Sequence, residues 1–187
     1  MRHARLTEVS VEDYLAMEEG CAVRHEYIAG RLFAMAGAGR RHNLIALNIA
    51  SLLRSSAQGG PCRVFMSDMK VQVEAKGCFY YPDIAVTCEP KDTAATNEQF
   101  ITSPCLVVEV LSPATEAIDR REKLFVYQSL ESLREYVLIS QDPRKIEVYR
   151  KESDSGWAVD ILEEGDVLRL ECLETAMTMS DIYEDVG

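Results

Sequence analysis

The feature that most restricts how this chain can fold is a pair of short apolar runs, each carrying one carboxylate where a strand interior is ordinarily apolar. In Y-Y-P-D-I-A-V-T, Asp83 opens I-A-V; in P-C-L-V-V-E-V-L-S-P, Glu109 sits inside L-V-V-E-V-L. Side chains alternate across a strand, so Asp83, Ala85 and Thr87 share one face, as do Cys105, Val107, Glu109 and Leu111. If the runs are neighbours, the two acids can converge. Buried carboxylates are rare unless paired, hydrogen-bonded or bound to metal. Two of them can hold a hard divalent cation such as Mg²⁺ or Mn²⁺, which activates water and offsets charge on a phosphodiester. The competing reading is structural: Glu109 pairs with a buried Arg or Lys, and Asp83 closes the turn after Pro82.

P-D, followed about two dozen residues later by E-V-L-S-P and then by a D-x-x-x-K-x-x-x-Y helix (Asp119, Lys123, Tyr127), resembles the Uma-type restriction-endonuclease family within the PD-(D/E)XK nuclease superfamily. The resemblance runs from about Val11 to Tyr183. It includes H-E-Y-I-A-G-R-L, His42 at the start of the first long helix, and the E-Y-V-L-I run. It implies an α/β fold with a mixed sheet flanked by helices, and a Mg²⁺- or Mn²⁺-dependent phosphodiesterase site with Asp83 and Glu109 as metal ligands and catalytic residues. It also implies a nucleic-acid partner, DNA in that family, and a homodimer, whose contact we expect among the later strands around Glu147 to Leu162.

One position departs from the pattern. The superfamily lysine follows the acid by two residues, and here that residue is Leu111. Asp119, Lys123 and Tyr127 recur every four residues and so form one helical stripe. Lys123 is therefore the expected replacement, with the helix core face assigned to Ile118, Leu124 and Phe125. The alternatives are an i,i+4 surface pair between Asp119 and Lys123, and, for the whole chain, a nuclease-like binding or structural module without activity.

A length of 187 residues suits one restriction-endonuclease-like domain over 1–187. No apolar run approaches the ~18 residues that span a bilayer, and M-R-H-A-R-L-T-E lacks the apolar core of a signal peptide; a cytoplasmic location is expected. A net charge of −11 excludes a broad electrostatic grip on nucleic acid. From Asp160 onward nine acids face Arg169, a balance of −8, leaving −11 + 8 = −3 for the rest. Contact with nucleic acid is thus expected to be local, through Arg2 to Arg5, Arg40 to His42 and Arg120 to Lys123. Six cysteines lie 41, 16, 10, 17 and 67 residues apart with no C-x-x-C pair, and read as reduced.

Along the chain, Ser10 caps a short helix with Val11, Tyr14, Leu15 and Met17 at helical spacing. H-E-Y-I-A-G-R-L-F alternates as a strand or hairpin bent at Gly30, with Glu26, Ile28 and Leu32 on one face and Tyr27 and Phe33 on the other. Glu26 is either a third acid of the site or an edge-strand charge. A helix over Arg40 to Ala57 buries Ile45, Ile49, Leu52 and Leu53, and His42 on its first turn is either a structural histidine or a site residue. Asp68 and Lys70 read as strand-surface polarity. The polar stretch from Cys88 to Pro104 reads as a lid over the site. A helix from Thr115 to about Leu130 precedes an antiparallel meander, a last strand at Val167 to Leu170 and a helix from Ser180.

Overall fold

The computed structural model describes residues 8–94, 99–153 and 156–187; the basic cluster expected at Arg2 to Arg5 lies outside them. In chain order the elements are α1 (Val11–Gly20), β1 (His25–Ile28), β2 (Arg31–Ala34), α2 (Arg40–Ser56), β3 (Arg63–Met66), β4 (Lys70–Val73), β5 (Cys78–Tyr80), β6 (Ile84–Thr87), α3 (Pro90–Thr93), β7 (Phe100–Ile101) and β8 (Leu106–Val110). There follow α4 (Glu116–Ile118), a π-helical turn (Asp119–Lys123), α5 (Leu124–Tyr127), β9 (Glu135–Ser140), β10 (Lys145–Lys151), β11 (Trp157–Leu162), β12 (Val167–Leu170), β13 (Thr175–Thr178) and α6 (Met179–Ile182).

The central sheet has the order β11-β10-β9-β8-β6-β3, with β8 and β9 parallel and the other pairs antiparallel. β8 and β9 are buried along their whole lengths. A parallel pair covered on both faces reads as a continuous apolar run, which is why L-V-V-E-V and E-Y-V-L-I-S lack alternation. Their connection needs a crossover, supplied by the helical segment 116–127. On one face, α2 sets Ile45, Ile49 and Leu53 against Ile84, Val86, Val108 and Val137. On the other, Ala85, Val107 and Leu138 meet Tyr127 and Tyr136 and a second sheet of order β2-β1-β5-β4-β7 through Val71 and Tyr80.

Several elements match the expectations: Ser10 accepts from the Asp13 N–H at 3.1 Å, and Ile45, Ile49 and Leu53 line the core face of α2. Others are corrected. The β1–β2 turn is two residues, Ala29 and Gly30, both at positive φ. It pairs Tyr27 with Leu32 and Glu26 with Phe33, so Leu32 joins Tyr27 rather than Glu26. A Cβ on Gly30 would meet Glu8 Cβ at 2.8 Å, so the turn needs both the left-handed freedom and the missing side chain. Lys70 is buried beside the Tyr81 ring, not on the surface. β13, absent from the sequence reading, pairs with β12. The described ends of the 88–104 stretch do not form a lid beside Asp83. They leave from the far end of β6, where the buried Asp92 carboxylate accepts from Thr87 Oγ1 (3.0 Å), Thr102 N–H (2.9 Å) and Ser103 N–H (2.8 Å).

Two further corrections matter more. Within 116–127 the polar stripe faces inward: Asp119, Lys123 and Tyr127 are buried, while Ile118 is 42% and Phe125 65% exposed. The six cysteines are not all reduced: Cys62 is joined to Cys88 and Cys105 to Cys172, leaving Cys21 and Cys78 free. Sequence spacing could not reveal this, because the partners lie far apart in the chain, beside strands and in a turn that only the folded sheet brings together.

The helix orientation predicts unequal costs. Phe125→Ser should destabilise by less than about 1 kcal/mol, because it removes only exposed surface and an exposed contact with Lys76. Tyr127→Ala should cost about 3 to 5 kcal/mol through loss of a buried aromatic. Urea unfolding of the two variants checks the orientation, and the reverse order would refute it.

Candidate functional site

Extending the β6–β8 register one residue beyond the Ile84–Val108 pair puts Asp83 opposite Glu109. Both belong to the face of Ala85 and Val107, as strand alternation requires. The two acids are also bonded through the backbone: the Asp83 N–H donates to Glu109 Oε2 at 3.3 Å, and the Val110 N–H donates to Asp83 Oδ2 at 2.7 Å. His42, from the first turn of α2, brings Nε2 to 3.1 Å from the same Asp83 oxygen. The ring reaches Asp83 round the strand end.

The lysine comes from the crossover. Lys123 Nζ stands 3.0 Å from Glu109 Oε1, 2.9 Å from Glu26 Oε1 and 3.2 Å from Asp119 Oδ1, with the Tyr80 ring centroid at 5.5 Å. Leu111, where the superfamily has its lysine, is buried in the apolar core instead. A π-turn widens the helix locally and is frequent at functional sites; here it spans Asp119 and Lys123 themselves. The second sheet supplies Glu26 from β1, an interior strand, and its carboxylate faces Lys123 rather than lying on an edge. Tyr127 belongs to an aromatic row, 5.5 Å from Tyr80 and 5.3 Å from Tyr136 between centroids. Tyr80 and Tyr136 were not singled out from sequence, where they read as ordinary strand aromatics. Tyr136 donates its hydroxyl to the Asp119 carbonyl at 3.1 Å, which holds the π-turn against β9.

The charges do not cancel. Counted as formal charges with every carboxyl ionised, Glu26, Asp83, Glu109 and Asp119 give −4 against +1 from Lys123, a deficit of −3, or −2 with His42 protonated. Only the Glu109 contact of Lys123 has hydrogen-bond alignment. Glu26 Oε1 and Asp119 Oδ1 meet Lys123 as ion pairs without that alignment, and the Tyr127 hydroxyl is buried without a hydrogen-bond partner. Burial pushes the Glu109 carboxyl well above its ordinary range; Lys123 opposes this, while Asp83, Asp119 and Glu26 add to it. Burial alone would lower Lys123, but Glu109, Glu26 and Asp119 outweigh it and hold the ammonium well above its usual value. An excess of carboxylate over ammonium in a buried cluster fits a hard cation.

Fold and site together define a nuclease-like protein with the restriction-endonuclease-like architecture. A family model described as "Uma2: Putative restriction endonuclease" matches residues 11–180, and the chain belongs to that family. It is 37% identical over 184 residues to the uncharacterized protein slr1290 of Synechocystis sp. (strain ATCC 27184 / PCC 6803 / Kazusa), covering 98% of this chain and 96% of that one. It is 30% identical over 149 residues to sll1609 of the same organism, also uncharacterized, covering 80% and 84%. A crystal structure described as a "putative nuclease belonging to DUF820", from Anabaena variabilis ATCC 29413, shares the fold. Its TM-score is 0.72 at 17% identity, over 87% of this chain and 91% of that one.

His42 yields a pH prediction. Burial disfavours its charged ring, but the hydrogen bond and charge of Asp83 prevail and raise its pKa above 6.5. A raised folded-state value means that the stabilisation is fully present below pH 6.5 and is lost as pH rises through the raised value. His42→Gln should therefore lower the urea midpoint most at pH 5.5 and least at pH 9. A deficit that grows with pH would refute the pairing.

Proposed function

We propose that this protein is a divalent-metal-dependent nuclease that hydrolyses phosphodiester bonds of DNA. The observation that carries the reading is Lys123 Nζ at 3.0 Å from Glu109, beside Asp83 on the neighbouring strand. It recreates the acid, acid and lysine set although position 111 holds leucine. Asp83 and Glu109 are the residues that would hold Mg²⁺ or Mn²⁺; such an ion polarises the phosphate and lowers the pKa of water. The protein groups do the rest. The Val110 N–H and His42 fix Asp83 Oδ2, and among the described residues no partner engages its Oδ1. Glu26 and Asp119 keep Lys123 cationic, so that its Nζ can donate to a phosphate oxygen or orient a water next to Glu109.

Substrate contact is local. Arg40 and Arg41 lie at the N-terminus of the 17-residue helix α2, whose first turn also carries His42, and backbone N–H groups at a helix start suit phosphate. The Arg120 to Lys123 cluster contributes less than its sequence suggests. Arg120 pairs with Glu116 and Glu147, and Lys123 is buried. No helix among the described residues is long and apolar enough to cross a membrane, and a cytoplasmic location goes with a nucleic-acid substrate.

A second reading has its own observation: Lys123 is already engaged by three carboxylates, which suits a nuclease fold that binds without cutting. One experiment separates the two. Supercoiled and linear DNA, with RNA alongside, are incubated with Mg²⁺, Mn²⁺ or EDTA and wild type, Asp83→Asn or Lys123→Met, with folding checked by circular dichroism. The nuclease reading expects metal-dependent cleavage that falls by about 100-fold or more in both variants, the scale of lost transition-state stabilisation. Millimolar Mg²⁺ should also raise the melting temperature of wild type but not of Asp83→Asn. No cleavage, with DNA binding retained, would favour the binding module.

The family resemblance also implies a dimer, and β11 supports where it would form. It is the edge strand of the central sheet, and Val159 and Ile161 are about half exposed on it; an unprotected apolar edge invites pairing. Light scattering should report twice the 21.0 kDa chain mass, and Ile161→Lys should shift it to the monomer. A monomer at micromolar wild type would refute the contact.

A further inference from the structure

We propose that Cys62, Cys88, Cys105 and Cys172 form a thiolate site for Zn²⁺ at the end of the central sheet remote from the acids, with the two disulfides as its oxidised state.

The placement is set by topology. Cys62 immediately precedes β3, Cys88 follows β6 and Cys105 precedes β8, and these three strands are adjacent in the sheet. Because β6 is antiparallel to both neighbours, all three cysteines fall at one end of it. Cys172 arrives from the turn between β12 and β13. The Cys172 N–H donates to Glu135 Oε2 at 3.1 Å, and Glu135 is in turn paired with Arg150, so the turn is held against β9. Asp83 and Cys88 bracket β6, which separates the two sites by about 17 Å at 3.3 Å per residue.

Two unrelated disulfides have no reason to touch, but these do. The Cys88 and Cys105 sulfurs, which are not bonded to each other, are 3.7 Å apart. The ligating sulfurs of Cys88, Cys105 and Cys172 all lie within 4.8 Å of one another, and Cys62 is bonded to Cys88. Four thiolates tetrahedral about zinc at 2.3 Å have sulfur to sulfur edges of about 3.8 Å. The unbonded pair already stands at that spacing. Cys62 and Cys105 are buried, and all four contact the apolar cluster under α2, so one side of the site is dry. The Arg63 guanidinium donates to the Gly60 and Cys62 carbonyls at 2.9 and 2.8 Å, which fixes the backbone that carries Cys62.

The interconversion balances. Each disulfide takes two electrons and two protons from a dithiol reductant to give two thiols, and the four thiols release their protons as they bind one Zn²⁺. Soft thiolates select zinc over the hard cation suited to the carboxylate site, so one chain would hold two unlike ions at opposite ends of the same strands. The thiolate site would join the ends of β3, β6 and β8 to the β12–β13 hairpin.

The test uses the full chain, fully reduced and titrated with Zn²⁺ or Co²⁺ alone. One equivalent of zinc per chain is expected by elemental analysis. Cobalt should give a thiolate-to-metal charge-transfer band with the visible bands of a tetrahedral site, present in Cys21→Ser and lost or altered in Cys172→Ser. In folded, reduced protein, zinc should also slow alkylation by iodoacetamide of the cysteines at 62, 88, 105 and 172 and leave the rates at Cys21 and at the buried Cys78 unchanged, a readout that needs no variant. Reduced protein that binds neither metal, a cobalt spectrum unchanged in Cys172→Ser, or zinc-dependent shielding of any other set of cysteines would overturn the proposal.

Discussion

The structure depends on one ammonium group. Lys123 is buried, and an uncompensated charge there would cost several kcal/mol in lost hydration; Glu26, Glu109 and Asp119 surround it instead. These partners come from three places: the second sheet, the central sheet and the crossover helix. The same contacts that keep the lysine charged therefore lock the two sheets and the helix in one relative arrangement. This is why the helix turns its polar stripe inward and leaves Phe125 in solvent, against the usual rule that apolar side chains face the core.

The lysine on the crossover also accounts for Leu111. Two residues beyond Glu109 on the same strand face, position 111 looks into the cluster of Val107, Val126 and Tyr136. With the positive charge arriving from the helix, that position is free to be apolar. The positive charge beside Glu109 thus comes from a turn that widens the helix and not from the strand that carries the acid.

The two ends of β6 and β8 carry opposite chemistry: carboxylates with a histidine and a lysine at one, sulfurs at the other. Between them the strands are apolar and wholly buried. The acidic C-terminal stretch is not a loose tail. β12, β13 and α6 pack Leu168, Leu170, Met177 and Ile182 onto the cluster beneath α2, and Asp181 completes a capping box with Thr178. Its excess charge is carried by exposed side chains on a folded unit.

Local pattern alone marked out the strands, the α2 core stripe, the carboxylates at Asp83 and Glu109, and the stripe of Asp119, Lys123 and Tyr127, because alternation and helical period are properties of neighbours in the chain. Which way a segment faces was decided elsewhere. A two-residue turn moved Leu32 to the Tyr27 face, the buried carboxylates drew Asp119, Lys123 and Tyr127 inward, and Glu26 became a site residue only when β1 paired with β5. The cysteine cluster was hidden for the same reason. Separations of 26, 17 and 67 residues follow no motif, and the sulfurs meet only because antiparallel pairing returns the chain to the same end of the sheet. Periodicity states what a residue can face; the energy of burying charge and sulfur, shared among distant segments, decides what it does face.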